Sequence, residues 1–375
     1  VSKPAPAKSI VVDYHELLRA ARLCSAVAEQ KSPVLAYQST LVRISVEGCD
    51  LSATSGTVSI RSIVGLEAMG GIAAFCVNAK RLVDVLARTP DGRIRIEPSD
   101  GEVRISNQAA RVSVKLSTTP ATNWPEVIWP DALSGRSVDR VSFANALIAA
   151  RVAVNSFDVD PTKNSIRLDV TDGMLSAWAI NGHVLAVYGI DFPGAGQSSL
   201  HASAVDAFVS ALSSSDTPFA SAEIGDATSV RTGKTVVIAR STGASRPPWK
   251  QLIPPDPMVV TCDRSGLLDA ADRAGMFAAK DHPDIVLHVD DDGLRVSRGG
   301  RGDGSASTVV EVDGDRKPGT EIRLNWRYLR DCLAAVDSER VDVAIAGPLK
   351  PFVIRPAGVA DGQLYLISPM TAKGE

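Results

Sequence analysis

Residues 77–86, VNAKRLVDVL, are written again at residues 324–333 as LNWRYLRDCL. Both stretches read apolar, Asn, any, basic, any, Leu, any, Asp, any, Leu. Apolar side chains recur at helical spacing: Leu82, Val85, Leu86 and Thr89 in the first, Leu329, Cys332, Leu333 and Val336 in the second. Asn78 and Asn325 stand where N-caps belong, because a short side-chain oxygen can accept from a free amide of the first turn. After each helix comes an alternating segment broken by a turn, GRIRIEPSDGEVRIS and ERVDVAIAGPLKPFVIRP. Both read as strand, turn, strand.

The two copies lie 247 residues apart. Half that distance on from Leu82 falls at Val205, in LHASAVDAFVSAL, where Val205, Phe208, Val209 and Leu212 make the same helical face. A third, weaker copy therefore sits between them. Another helix opens each unit. DYHELLRAARLCSAV starts at Asp13, with Glu16 placed for a capping box. SFANALIAARVAV starts at Ser142 and DRSGLLDAADRAGMFAAK at Asp263. Each precedes a hairpin signal, at Gly48, Gly173 and Gly293, read as turns that use glycine's positive φ. Two helices with about eight short strands, three times over, predict an α+β fold. A repeat of ~120 residues is too long for a solenoid unit of ~20–50. The expectation is three tandem domains, 1–128, 129–255 and 256–375, with junctions in NWPEVIWPDALSG and PPWKQLIPPDP.

Composition narrows the function. A 45% hydrophobic and 22% charged chain is an ordinary globular one. A net charge of −3 excludes an overall basic footprint, so any nucleic-acid surface must be local. The five cysteines form no C-x-x-C pair, which argues for buried reduced thiols over a disulfide framework or zinc knuckle. The start lacks the apolar run of a signal peptide, and no window approaches the ~18 apolar residues of a membrane helix. These features predict a cytoplasmic protein with no membrane partner and a mobile Pro/Ala-rich tail over residues 1–8. TGKT at 232–235 lacks the upstream glycine of a phosphate loop, and a strand follows it. SRGGRGDGSAS reads as a loop, and Asp290, Asp291 and Asp292 as a solvated turn. No two histidines have a metal-ligand spacing. No catalytic residue, metal or cofactor is predicted.

Six segments in order resemble the bacterial DNA polymerase III β subunit, the sliding clamp family: FCVNAKRLVDVLARTPDG, VSVKLSTTPATNWPEV, INGHVLAVY, PPWKQLIP, LNWRYLRDCLAAV and YLISPM. The resemblance implies three copies of the clamp domain, each with two helices on antiparallel sheets, and two chains joined head to tail as a ring. The first domain of one chain would meet the third of the other. It implies a non-catalytic processivity factor, bacterial and nucleoid-associated. Its partners would be duplex DNA bound without sequence preference, a second copy of itself, the replicative polymerase α subunit, the clamp loader and other proteins carrying clamp-binding motifs. A divergent paralogue, acting as a protein scaffold or an inhibitor-resistant clamp, is the alternative.

Carried over by motif, the partner-peptide pocket comprises Gly182, His183, Leu185, Pro247, Leu252, Leu366, Ile367, Ser368, Pro369 and Met370. The chain departs from the family there. Ile180, Asn181 and Val184 replace Thr, Asp and Arg, and Ser368 replaces a Met. Asp160 and Lys163 stand where Arg and Leu are usual, and TAKGE extends the end. The ring implies DNA-facing helices, for which Arg19, Arg22, Lys80, Arg81, Arg151, Arg273, Arg327 and Arg330 are the candidates. The six expected helices hold eleven basic and eight acidic side chains, so they are positive within a negative chain. Phosphate attraction of that kind is sequence-independent and weakened by salt.

Overall fold

The computed structural model of the chain describes residues 9–130, 135–299, 304–359 and 362–371. The tail at 1–8, residues 300–303 of the glycine-rich loop and residues 372–375 of the C-terminal extension lie outside the described residues. The helices are α1 (Tyr14–Val27), α2 (Ala79–Leu86), α3 (Arg140–Arg151), the single turn α4 (Pro161–Asn164), α5 (Ala202–Ser213), α6 (Arg264–Gly275) and α7 (Trp326–Ala335). Strand, helix, four strands, helix, three strands recurs three times along the chain. The additions are α4 and the two-residue strands Ala68–Met69 and Val312–Asp313.

Side-chain caps start most of these helices. Asp13 accepts from Glu16 N at 2.9 Å, Asn78 from Arg81 N at 3.0 Å, Asp263 from Gly266 N at 2.6 Å and Asn325 from Arg327 N at 3.0 Å. Three of the sequence boundaries shift, and one expected cap forms differently. Helix α3 starts at Arg140 rather than Ser142, because Asp139 takes the Ser142 amide at 2.7 Å. That bond holds the Asp139 carboxyl below the usual carboxylate range. Helix α6 stops at Gly275, so Lys280 is not helical. Thr89 lies past the end of α2 and returns its hydroxyl to Val85 O at 2.8 Å. The capping box at Asp13 does not close. Glu16 instead accepts from Gly65 N at 3.0 Å.

One backbone bond recurs in all three copies. The first amide of the opening helix donates to the segment after the second helix: Tyr14 N to Gly92 O at 3.0 Å, Arg140 N to Pro218 O at 3.1 Å and Arg264 N to Glu339 O at 2.9 Å. In the second and third copies the arginine also reaches the end of the second helix. Arg140 donates to Leu212 O at 2.7 Å and Arg264 to Leu333 O at 3.3 Å. A cation there meets unpaired carbonyls and the negative end of the helix dipole.

The chain packs as two compact units. One runs up to Ala144 and takes in Ser203–Ser241; the other takes Asn145–Ala202 and the chain from Thr242 on. In the first unit one thirteen-stranded antiparallel sheet runs from Arg136–Asp139 to Ala68–Met69. Within it Thr235–Arg240, the last strand of the second copy, pairs with Val58–Val64 of the first, Val237 opposite Ile60. Leu17, Leu51, Leu82, Ile96 and Ile105 fill its core. In the second unit a nine-stranded sheet is joined the same way. Val184–Asp191 of the second copy pairs with Gln363–Ile367 of the third, Leu185 opposite Leu366. A separate four-stranded sheet has Ser305–Val310 at its edge.

The three hairpin glycines do different jobs. Asp172 and Gly173 form the turn itself, at φ 53° and 78°. Gly48 and Gly293 instead follow two-residue turns, since Ser45 pairs with Gly48 and Asp290 with Gly293. There glycine admits the next strand. A Cβ on Gly48 would lie 2.8 Å from Val64 O, and one on Gly293 would overlap Val310 O. Gly173 faces open space. TGKT is a hairpin turn, with Thr232 opposite Thr235. Gly173→Ala should cost about 1 kcal/mol, the strain of a left-handed alanine. Gly293→Ala should cost about 3 kcal/mol, because strain and backbone overlap add. Urea unfolding of the two variants checks that order.

Candidate functional site

The second unit carries a cleft of about 440 Å³ lined by Val152, Val154, Asn155, Asp158, Lys163, Asn181, His183, Val184, Tyr328 and Asp331. Its floor comes from sequence-distant elements. The turn after Met174–Ile180 supplies Asn181, Gly182 and His183. Asn181 Oδ1 accepts from His183 N at 3.0 Å and Val184 N at 2.9 Å. The turn needs an acceptor oxygen there and no charge, so Asn serves where the family has Asp. Gly182 takes φ 90° at its tip. The exposed His183 ring stacks on Tyr328 of α7, centroids 5.8 Å apart and planes 18° apart. The C-terminal segment runs past this pair. Ser368 N donates to His183 O at 2.8 Å, and Met370 N to Arg323 O at 2.8 Å.

The structure sorts the ten pocket candidates by depth. Gly182 and His183 are exposed, and Ser368, Pro369 and Met370 are half-buried beside them. Leu185, Leu366 and Ile367 are 0%, 3% and 0% exposed, so they support the floor from within the sheet. Pro247 and Leu252 lie on the linker around the short 3-10 turn Trp249–Leu252. Two departures from the family have local reasons. Asp160 caps α4 by accepting from Thr162 N at 2.8 Å. Lys163 pairs with Asp158 at 3.5 Å on the cleft wall.

Below the linker lies a buried cluster that the sequence reading did not name. Arg167, 0% exposed, sits 5.0 Å over the Trp178 ring and donates to Ser245 O and Ser165 O, each at 3.0 Å. Burial, then the charge of Arg246, pulls its pKa down to about 10. Asp169 accepts from Trp178 Nε1 at 2.6 Å and Arg246 Nε at 2.9 Å. Trp249 packs on Trp178, centroids 6.3 Å apart. The linker is thereby tied to the sheet that carries Leu185 and Leu366. Arg167 and Asp169 alternate with apolar residues in one strand, and periodicity alone reads them as solvent-facing.

Seven of the eight DNA-facing candidates fall on two packed helix pairs, α1 with α2 and α6 with α7. Arg19 and Arg22 on α1 and Lys80 and Arg81 on α2 are exposed in the first unit. Arg19 reaches Ser214 O at 3.4 Å. In the second unit Arg273 on α6 is exposed and reaches Thr308 Oγ1 at 3.4 Å. Arg327 and Arg330 on α7 lie over Trp326, and Arg330 also pairs with Asp331 at 2.7 Å. Arg151, at the end of α3, is half-buried and donates to Ser156 Oγ at 2.8 Å.

This architecture has close parallels among solved structures. A Pseudomonas aeruginosa sliding clamp bound to griselimycin superposes with a TM-score of 0.88 at 21% identity, covering 97% of this chain and 100% of that one. The Thermotoga maritima DNA polymerase III β subunit gives 0.86 at 19%, covering 97% and 99%. These likenesses establish the fold. Residues 250–371 match the family model for the DNA polymerase III beta subunit, C-terminal domain. The beta sliding clamp of Pseudomonas putida is 23% identical over 96% of this chain and 98% of its own length. That of Pseudomonas aeruginosa is 24% identical over the same shares. Over nearly its whole length the chain is similar to beta sliding clamps. Among the described residues no helix is long and apolar enough to cross a membrane.

The cleft is lined by no cysteine. All five cysteines are buried. Burial pushes the Cys76 thiol up to about 11, and those of Cys49 and Cys262 to about 12; Cys24 and Cys332 are also raised. Folded and unfolded thiols are both largely protonated below about pH 8, so stability is unaffected there. Above pH 9 the unfolded chain loses protons first, and stability should fall as pH rises toward 11–12. Thiol titration with a chromogenic disulfide at pH 8 should find no reaction in the native protein and five equivalents in denaturant.

Proposed function

We propose that the chain is a non-catalytic DNA sliding clamp. Two copies close head to tail around duplex DNA, and the ring tethers the replicative polymerase, the clamp loader and other motif-bearing proteins during DNA replication in the bacterial cytoplasm, at the nucleoid. Domain limits near residues 128 and 255 go with this reading. A pattern of sheet edges carries it. In the first copy Val58–Val64 is covered by the last strand of the second copy, and in the second copy Val184–Asp191 is covered by the last strand of the third. The corresponding strand of the third copy, Ser305–Val310, pairs on one side only among the described residues. The last strand of the first copy, Val112–Pro120, is bonded over residues 112–117 only to Glu102–Asn107. The missing joint is therefore one between chains, and making it twice closes a dimer.

Apolar surface flanks both edges. Met276, just past α6, is 73% exposed, and Val309 is 38% exposed. At the other edge Val85, Val112, Val114 and Leu116 line a cleft of about 370 Å³ with Arg81, Asp84 and Arg88 on its walls. The basic helix pairs supply phosphate attraction without reading bases, which lets a closed ring slide and makes its affinity fall with salt. The cleft at His183 and Tyr328 takes the partner's linear motif. Its polar wall at Lys163 and Asp158 favours weaker binding of the family's usual apolar motif.

Light scattering should give a dimer, and Met276→Asp should convert it to folded monomers. Clamp loaded on nicked circular DNA should be retained and should be lost when the circle is cut. A monomeric parent, or equal retention on both topologies, would overturn the ring. Met370→Ala and Tyr328→Ala should each weaken a fluorescent clamp-motif peptide about tenfold while the dimer mass stays the same. Unchanged affinity in both variants removes the cleft assignment.

A further inference from the structure

The opening motif is not copied at one position. The residue after the cap is Ala79 in α2 and Trp326 in α7. The opposing helix compensates. Counted from the aspartate caps of α1 and α6, Gly275 corresponds to Ser25. A Cβ on Gly275 would overlap the Trp326 ring, so the glycine makes the seat in which the indole lies. Small residues at both positions of the first copy become a tryptophan seated against a glycine in the third.

Core filling alone does not account for the choice of tryptophan. Its Nε1 is buried without a hydrogen-bond partner, a cost that Leu or Phe would avoid. What the ring does contact is charge. The Arg327 guanidinium lies 5.6 Å and the Arg330 guanidinium 5.2 Å from its centroid. Both are within cation–π reach, and tryptophan is the strongest partner for that interaction. In α2, Lys80 and Arg81 have neither an aromatic platform nor an ion-pair partner among the described residues.

We propose that Trp326 is a positioning residue, which holds Arg327 and Arg330 as a fixed pair of guanidiniums for duplex phosphates on the third copy of the repeat. The proposal rests on the reading of these helices as DNA-facing. Two free arginines would each lose rotamer freedom on meeting a phosphate. A pair already stacked on a seated ring has lost that freedom on folding, so less of the contact is spent on ordering. The planar guanidinium suits both the ring face and bidentate phosphate contact. Arg330 is further fixed by Asp331, at 2.7 Å through Nη2 and 3.0 Å through Nε.

The test uses the full-length dimer and a fluorescent duplex, with anisotropy titrations over a range of low salt. Arg327→Ala/Arg330→Ala should weaken binding and flatten the salt slope. Trp326→Leu removes no charge, yet should weaken binding about threefold, the size of one or two exposed cation–π contacts. Adding it to the double-arginine variant should change nothing further, whereas its effect should add to that of Lys80→Ala/Arg81→Ala. Trp326→Phe keeps a ring, loses the unpaired N–H and should bind close to the parent. Equal losses in the Leu and Phe variants, or a Leu variant that binds like the parent while the double-arginine variant is weak, would leave Trp326 as packing only. If the double-arginine variant binds like the parent while Lys80→Ala/Arg81→Ala is weak, the DNA-facing reading of α7 fails, and the proposal with it. Should Trp326→Leu not fold, Trp326→Met, which also removes the ring and no charge, takes its place in the cycle: a loss that vanishes in the double-arginine background supports the proposal, and strict additivity overturns it.

Discussion

Two antiparallel ladders, Thr235–Arg240 on Val58–Val64 and Val184–Asp191 on Gln363–Ile367, hold this chain in its architecture. Each lets the last strand of one copy of the repeat complete a sheet begun by the copy before it. The compact units consequently do not follow the repeats. Both α3 and α5 of the middle copy begin in one unit and end in the other. A domain whose backbone groups are shared with both neighbours cannot be read as an independent bead. Among the described residues the corresponding strand of the third copy, Ser305–Val310, has no such neighbour within the chain.

The same sharing builds the cleft. Its turn residues come from the middle copy, its aromatic wall from α7 of the third and its edge from the C-terminal segment. The ladder between Val184 and Ile367 fixes their register. The Arg167, Trp178, Asp169 and Arg246 cluster then fixes the linker. A buried cation stacked on its ring, beside a carboxylate held by Trp178 and Arg246, is costly to assemble and directional once made, and it fixes the linker that carries Pro247 and Leu252.

Much of this was legible from local chemistry. Asn78, Asn325, Asp13 and Asp263 announce their helices because a cap needs only residues within one turn. The Asp172–Gly173 turn is readable because its requirement is a backbone angle. Gly48 and Gly293 look alike in sequence, but their requirement is the nearness of Val64 and Val310 carbonyls on another strand. Ser142 misled because a serine before an apolar run resembles a cap, while Asp139 three residues earlier accepts the bond. Arg167 was illegible because an alternating strand normally turns its polar side to water, and the carbonyl that accepts its Nε lies at position 245 of the chain.

The sequence by itself determined the repeated unit, its α+β character and most helix starts, and by resemblance it proposed a set of pocket residues. Those properties depend on side-chain periodicity and on contacts within a turn. Tertiary structure decided which pocket residues reach the surface and which lie beneath it. It also decided that Tyr328 faces His183, that Trp326 carries two arginines, and that among the described residues Ser305–Val310 and residues 112–117 each pair on one side only. Each of these depends on which distant strands share hydrogen bonds, and a pairing register between segments far apart in the chain leaves no local mark in either of them.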